Sequence, residues 1–371
     1  MIRVGWEQVF AWRLRRQFVA PPTADDAVAV ARRLCGVQAQ VASTAELAVA
    51  LRRQHPERDA VGRALAAGEL IKTWAMRGTL HAMTPDLAAA CLGLVGAART
   101  WEKPVWQRNF GISPAQMATL ADRVAHLLDT AILTRAELVA ELVTEPELAP
   151  LAEHLGSGWG TLLKPLAWQG ALCHGPMRGN AVTFTTPARA IPDWPGLPEP
   201  DRAAAIVIPA YLGVYGPATP DTFDAWLTRG AHRKATVRRW FADLGDELIE
   251  VEVEGRRGHL RRADVDELLD TDPATSVHLL GGFDQYVLGP GTGDTALLPA
   301  AHRRAVSRTA GWIAPLVVVG GRIAGTWEIL DGAVAVEMFD GAPLPRAGLD
   351  EAVTRVGVAL GQSELGLRIA A

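Results

Sequence analysis

Cysteine is scarce. Only three occur among 371 residues, Cys35, Cys91 and Cys173, an odd number and widely separated. That excludes a disulfide framework of the secreted kind and points to a reducing cytosol. No apolar run approaches the roughly 18 residues that a membrane-crossing helix needs, so no membrane partner is expected. The opening Met1-Ile2-Arg3-Val4-Gly5-Trp6-Glu7 lacks the apolar core of a signal peptide. The nine histidines are scattered without an i, i+4 pair, and Cys-x-x-Cys is absent, so no metal is expected. No Gly-x-Ser-x-Gly nucleophile motif occurs. Gly289-Pro290-Gly291-Thr292-Gly293 lacks dinucleotide spacing and a following helix, so it reads as a loop and no cofactor is expected.

What is present is a globular composition. Hydrophobic residues make up 49% and charged residues 21% of a chain long enough for two or three domains. The net charge of -4 hides an asymmetry. Residues 1–111 hold fifteen Lys and Arg against nine Asp and Glu, a net of +6, while the remainder holds 22 against 32, a net of -10. The basic third carries its arginines in close sets: Arg13, Arg15 and Arg16; Arg32 and Arg33; Arg52 and Arg53. Such sets suit a phosphate backbone, and they suit a solvated helix face equally well.

Within that basic third, Gly36-Val37-Gln38-Ala39-Gln40-Val41 lies between two helical patterns. Upstream, residues 27–34 have helical spacing and end at Cys35-Gly36. Downstream, Ser43 and Glu46 have the spacing of a capping box ahead of Leu47, Val49 and Leu51. The two amides are expected on a short extended connector, where residues i and i+2 face one side and Ala39 turns away into apolar packing. Each carboxamide offers two donors and a carbonyl acceptor, enough to hold a water or a sugar-phosphate oxygen without charge. The helix N-terminus beyond favours a negative group. The plainer alternative is that both glutamines satisfy loop backbone.

Along the chain a helix-and-hairpin module is used three times. The first copy has a helix over residues 59–67, a stop at Gly68, a strand over 70–76, a turn at Arg77-Gly78 and a strand from Thr79 to Met83. The second opens with a capping box, Thr134 and Glu137, followed by a helix over 159–168 that stops at Gly170 and by strands 171–174 and 181–184. Five prolines between residues 187 and 200 read as a linker. In the third copy, Thr219-Pro220 starts a helix, Gly230 breaks the chain, residues 233–244 form a basic helix, and strands 248–253 and 259–261 flank a glycine turn. Two helices and a two-stranded wing make a winged helix. The expected fold class is therefore α+β, with tandem winged-helix modules over residues 1–111, 112–190 and 201–275 and a β-rich C-terminal region over 276–371. In that last region, residues 278–280, 286–288, 316–319, 323–327 and 333–336 read as strands, and Gly320-Gly321 reads as a tight hairpin.

Four stretches together carry a family resemblance: Val37-Gln38-Ala39-Gln40; Met76-Arg77-Gly78-Thr79-Leu80-His81; Leu279-Leu280-Gly281-Gly282-Phe283-Asp284-Gln285-Tyr286-Val287-Leu288-Gly289; and Gly321-Arg322-Ile323-Ala324-Gly325-Thr326-Trp327. With these the sequence resembles the AlkZ/YcaQ-like DNA glycosylases, a winged-helix family of bacterial repair enzymes. The resemblance implies tandem modules around double-stranded DNA and hydrolytic removal of purines alkylated at N7, including bulky adducts and crosslinks. It places the catalytic amides on Gln38 and Gln40. A sister branch has Asp at the second position, which this chain does not.

The chemistry agrees with that assignment. Alkylation at N7 makes guanine a cationic leaving group that needs little protonation, so the site has only to hold a water beneath the developing oxocarbenium. Neutral amides suffice. Around this pair, Arg77, Thr79 and His81 on the first wing, Arg178 on the second wing, Lys234 and Arg238 on the third module's basic helix and Arg322 in the Gly320-Gly321 hairpin are candidate DNA contacts. Each has a packing or solvated-face alternative. A monofunctional glycosylase acting as a monomer, cytoplasmic and nucleoid-associated, is the expectation; a non-catalytic winged-helix regulator is the competing class, although it has no need of the amide pair.

Overall fold

The computed structural model describes residues 2–339, 345–362 and 364–369. The expected modules reach to residues 1 and 371, so Met1, 340–344, 363, 370 and 371 lie outside the described residues. Three small sheets and one larger sheet organise the chain. After β1 (Ile2–Val4), β2 (Val37–Gln38), β3 (Ile71–Trp74) and β4 (Leu80–Met83) form the first sheet in the order β2-β4-β3. β5 (Leu133–Thr134), β6 (Cys173–His174) and β7 (Thr183–Thr185) form the second in the order β5-β7-β6. β8 (Leu248–Val253) and β9 (Arg256–Arg261) form a hairpin that β1 joins in parallel along β8. β10 (Val277–Leu280), β11 (Leu316–Val319), β12 (Arg322–Leu330), β13 (Ala333–Met338) and β14 (Gly366–Ile369) follow one another across the five-stranded sheet.

The three small sheets repeat one connection. A short extended piece leading into a helix lies antiparallel against the last strand of the hairpin: Val37 opposite Ala82, Leu133 opposite Phe184, and Ala218 opposite His259. The helices that follow are Ala42–Ala50, Arg135–Leu142 and Pro220–Thr228. In the second copy Thr134 and Glu137 form the expected capping box. In the third, the Thr219 hydroxyl accepts from the Thr222 N–H at 3.1 Å, and Arg229 and Gly230, with φ of 64° and 78°, end the helix.

The first copy differs. Its helix begins at Ala42 behind Val41, which gives no side-chain cap, so the expected Ser43–Glu46 box does not form. Ser43 is already helical, and Glu46 instead accepts from the N–H groups of Val61 and Gly62 at 3.0 and 2.8 Å, capping the neighbouring helix Ala60–Ala66.

Other expectations change for similar local reasons. Residues 286–288 lie in a helix, Gln285–Leu288, because the Asp284 carboxylate accepts from the Tyr286 N–H at 2.8 Å and sets a helical turn. The C-terminal region also holds the helix Arg346–Leu360. The proline-rich stretch contains the short helix Pro187–Ala190, and Pro200 starts the helix Pro200–Tyr215. That helix packs against Pro85–Ala97, with Leu87, Cys91, Val207 and Tyr211 in their shared core. The hairpin at Gly320-Gly321 forms as expected, with φ of 56° and 82° in a turn that requires both to be positive.

The close arginine sets are mostly bound internally. Arg52 and Asp284 form a fully buried bidentate ion pair at 2.7 and 2.8 Å that fastens the first module to the C-terminal region. Buried Arg13 donates to the Gly216 carbonyl, Arg16 pairs with Glu267, and Arg32 pairs with Asp86. Their buried partners take Arg13 and Arg52 out of reach of a phosphate backbone, whereas Arg32 stays exposed in its pair. The segment after β1, residues 6–16, sits with Val251, Leu260 and Tyr286, beside the third hairpin and the five-stranded sheet.

Candidate active site

The first sheet carries the two glutamines. β2 ends at Gln38, whose register partner on β4 is His81, and His81 in turn faces Thr73 on β3. Register partners share a face, so Thr73, His81 and Gln38 form a polar row across the sheet. Ala39 is buried among Val37, Val49 and Ala82, and its N–H donates to the Leu80 carbonyl at 2.8 Å. Gln40 lies beyond the strand's end and is exposed; its side-chain oxygen stands 3.5 Å from the Leu80 N–H. At that distance the bond is weak and leaves the carboxamide largely free.

The pair is therefore unequal in depth. Gln38 is only 6% exposed, whereas Gln40 is open to solvent. Just past it, the first turn of the helix Ala42–Ala50 has N–H groups without a side-chain cap, which favours a negative group there.

His81 is fully buried, so it does not lie on a surface that DNA could touch, and the expected contact role is corrected. Its Nδ1 is 3.0 Å from the Thr79 carbonyl. A carbonyl only accepts, so Nδ1 carries the proton and Nε2 a lone pair. That nitrogen and the Thr73 hydroxyl have no protein partner. Burial above all, with the nearby Arg77 charge, pushes the imidazole pKa down to about 3, so the ring is neutral at physiological pH.

The other candidates fall into separate places. Arg77, in the turn between β3 and β4 at φ 57°, donates to the Trp226 carbonyl at 3.0 Å, and burial lowers its pKa to about 10. Thr79 closes the same turn by donating to the Met76 carbonyl. Arg178 is exposed on the hairpin of the second sheet and pairs with Glu137. Lys234 pairs with Asp221, while Arg238 is exposed one turn further on. Arg322 is exposed on β12 with its guanidinium 5.5 Å from the Phe10 ring centre. The structure brings Arg77, Thr79, His81, Gln38 and Gln40 onto one sheet and leaves the other four on three different elements.

Two features were not anticipated. One is the fully buried Thr73, which period-2 alternation in β3 could have placed beside His81. The other is a cleft of about 240 Å³ at Arg77 that gathers Lys164 and Arg229; no local signal joins positions so far apart. Among the described residues no three His, Cys, Asp or Glu side chains gather as a metal site, and no helix is long and apolar enough to cross a membrane.

Comparison with known proteins bears on this arrangement. The family model described as DNA glycosylase AlkZ-like matches residues 31–359. An interstrand DNA cross-link repair glycosylase of Streptomyces sahachiroi is 51% identical over 370 residues, spanning 99% of this chain and 100% of the relative. The solved structure of the Streptomyces sahachiroi DNA glycosylase AlkZ superposes with a TM-score of 0.97 at 51% identity, covering 100% of both chains. The chain belongs to the AlkZ-like DNA glycosylase family.

Proposed function

We propose that the protein removes N7-alkylated purines from double-stranded DNA, including bulky adducts and interstrand crosslinks, by hydrolysis of the N-glycosidic bond. The observation that carries this reading is the uncommitted amide pair on the first sheet. Gln40 is open to a substrate, and Gln38, buried at the end of β2, is the register partner of His81, whose Nε2 is unprotonated. A Gln38 amide N–H donated to His81 Nε2 would leave the Gln38 carbonyl oxygen to accept from the attacking water. Gln40 would hold the same water or the neighbouring sugar-phosphate oxygen. Because the departing base is already cationic, neutral groups that position the water supply what the reaction lacks. No general acid is needed.

The repeated strand, helix and hairpin, three times over, supports a tandem winged-helix arrangement in which the modules embrace the duplex. The name of the 51% identical relative supports crosslinks as substrates. In this reading the enzyme is monofunctional, acts as a monomer, and works on chromosomal DNA in the cytoplasm. Arg178, Arg238 and Arg322, all exposed, are the surface cations offered to phosphate.

The test is to incubate the purified protein with duplex DNA containing 7-methylguanine and to assay free base and heat-labile abasic sites. Release of the base with an intact abasic strand is expected. Tight or sequence-specific binding with no base released over hours would instead assign the chain to DNA recognition alone.

A further inference from the structure

The cleft at the end of the first hairpin is bounded by pieces of all three repeats. Arg77 and Gly78 come from the turn between β3 and β4, Lys164 and Trp168 from the helix Leu163–Trp168, and Arg229 from the end of Pro220–Thr228. Val95 closes its apolar side. Three cations therefore line about 240 Å³, and no carboxylate does.

The hydrogen-bonding capacity of this lining is one-sided. Arg77 Nη2 is buried without a partner, although Nη1 is held by the Trp226 carbonyl. The Trp168 indole N–H is likewise buried and unpartnered. The Lys164 and Arg229 side chains have no ion-pair or hydrogen-bond partner among the described residues. Arg77 Nη2 and the Trp168 N–H are buried donors without acceptors, which costs stability, while Lys164 is half-buried and Arg229 exposed at the cleft's mouth. Burial and the charge of Arg229 lower the pKa values of both Arg77 and Lys164, in keeping with uncompensated repulsion. An oxyanion with several acceptor oxygens would satisfy every one of these groups at once.

Position narrows the choice of anion. Gly78 is two residues from Leu80, whose N–H faces the Gln40 oxygen. Two residues span at most about 7 Å, and one strand of DNA advances about 3.4 Å per phosphate. We propose that the cleft is a phosphate pocket that seats one backbone phosphodiester within about two nucleotides of the reacting sugar, so that a single phosphate ties the three repeats together. The inference rests on the DNA role proposed above and deepens it.

The test uses the full chain and duplexes carrying either no damage or one abasic-site analogue, so that it reads binding whether or not any base is released. In the wild type, neutral methylphosphonates are placed one at a time around the analogue. One position is expected to weaken binding about tenfold or more. In Lys164→Gln/Arg229→Asn that position should have no effect, and the slope of log affinity against log salt should be less negative by about one. Asn is chosen at 229 because it tolerates the left-handed backbone, φ 64°. A wild-type scan in which no single position matters would overturn the proposal without recourse to any variant. So would a variant with the wild-type scan and slope. Titration with inorganic phosphate, read by tryptophan fluorescence, supplies the last arm: saturable binding lost in the variant, but with DNA slopes unchanged, would make this a small-anion site and reject the backbone assignment.

Discussion

The first and second sheets share a strand order and differ in what their polar residues are free to do. In the second, the strand's last residue, Thr134, adjoins the helix, and its hydroxyl is committed to the helix it caps. In the first, three residues separate β2 from its helix, the cap position falls on Val41, and Gln38 and Gln40 are left without that duty. The hairpin turns contrast in the opposite sense. Arg77 on the first is drawn inward to Trp226, whereas Arg178 on the second stays at the surface in an exposed pair with Glu137. The lesson is that residue type does not decide which side chains can serve a substrate. Chemical freedom follows from whether the local fold already claims the group.

The largest expected effect tests how the first unit is anchored. Among the described residues its buried Arg52–Asp284 pair has no counterpart in the second, where Arg123–Glu145 is partly exposed and Arg178–Glu137 lies at the surface. Arg52→Ala should destabilise the protein by about 3–5 kcal/mol, since it strands a buried carboxylate, against under about 1 kcal/mol for Arg123→Ala. Denaturant titration decides. Equal losses would remove the distinction between the two anchors.

Next comes chemistry. Gln40→Ala should slow base release by about 10²–10³ while leaving the melting temperature alone, because the side chain is exposed and weakly bonded. Gln38→Ala should do both, lowering stability as well as rate. Thr134→Ala, the matched change in the second sheet, should cost about 1 kcal/mol of stability and no activity. An active Gln40→Ala would break the comparison at its centre.

The pH response comes third and sharpens the likeness between the units. His174 on β6 lies 4.8 Å from Trp74 and 5.2 Å from Phe184, ring centre to ring centre, with neither nitrogen partnered. Burial first, then the Lys72 and Arg135 charges, push its pKa down to about 3, as burial does for His81. A folded-state pKa below the unfolded one means that stability is complete above about pH 6.5 and is lost as pH falls toward 3. Between pH 6.5 and 5, His174→Phe should flatten part of that decline in melting temperature. An unchanged decline would show that the ring is hydrated in solution. The smallest effect belongs to Arg178→Ala, which should weaken duplex binding only severalfold and reduce the salt slope by no more than about one, because Glu137 already offsets its charge.

Much of this architecture was legible in the chain itself. The Thr134 capping box, the Thr219-Pro220 helix start and the Gly320-Gly321 turn are local devices, each complete within four residues, and all three form as read. Residues 286–288 read as a strand in sequence because three apolar positions carry no period; the Asp284 cap sets them as helix. The Ser43–Glu46 spacing misled for a different reason: Glu46 found better donors on another helix.

For this protein the sequence alone determined several helix caps and hairpin turns, the basic first third and the neutral Gln-x-Gln element, because caps, turns and composition act over a few residues. Only the tertiary structure decided that Gln38 is buried while Gln40 is exposed, that His81 is sealed and neutral, and that Arg52 is bound to Asp284. It alone gathered Arg77, Lys164 and Arg229 around one cleft. Burial and charge pairing depend on what the rest of the chain places alongside a residue, and partners 232 positions apart, as in Arg52 and Asp284, or 251 apart, as in Arg16 and Glu267, leave no mark on the local pattern.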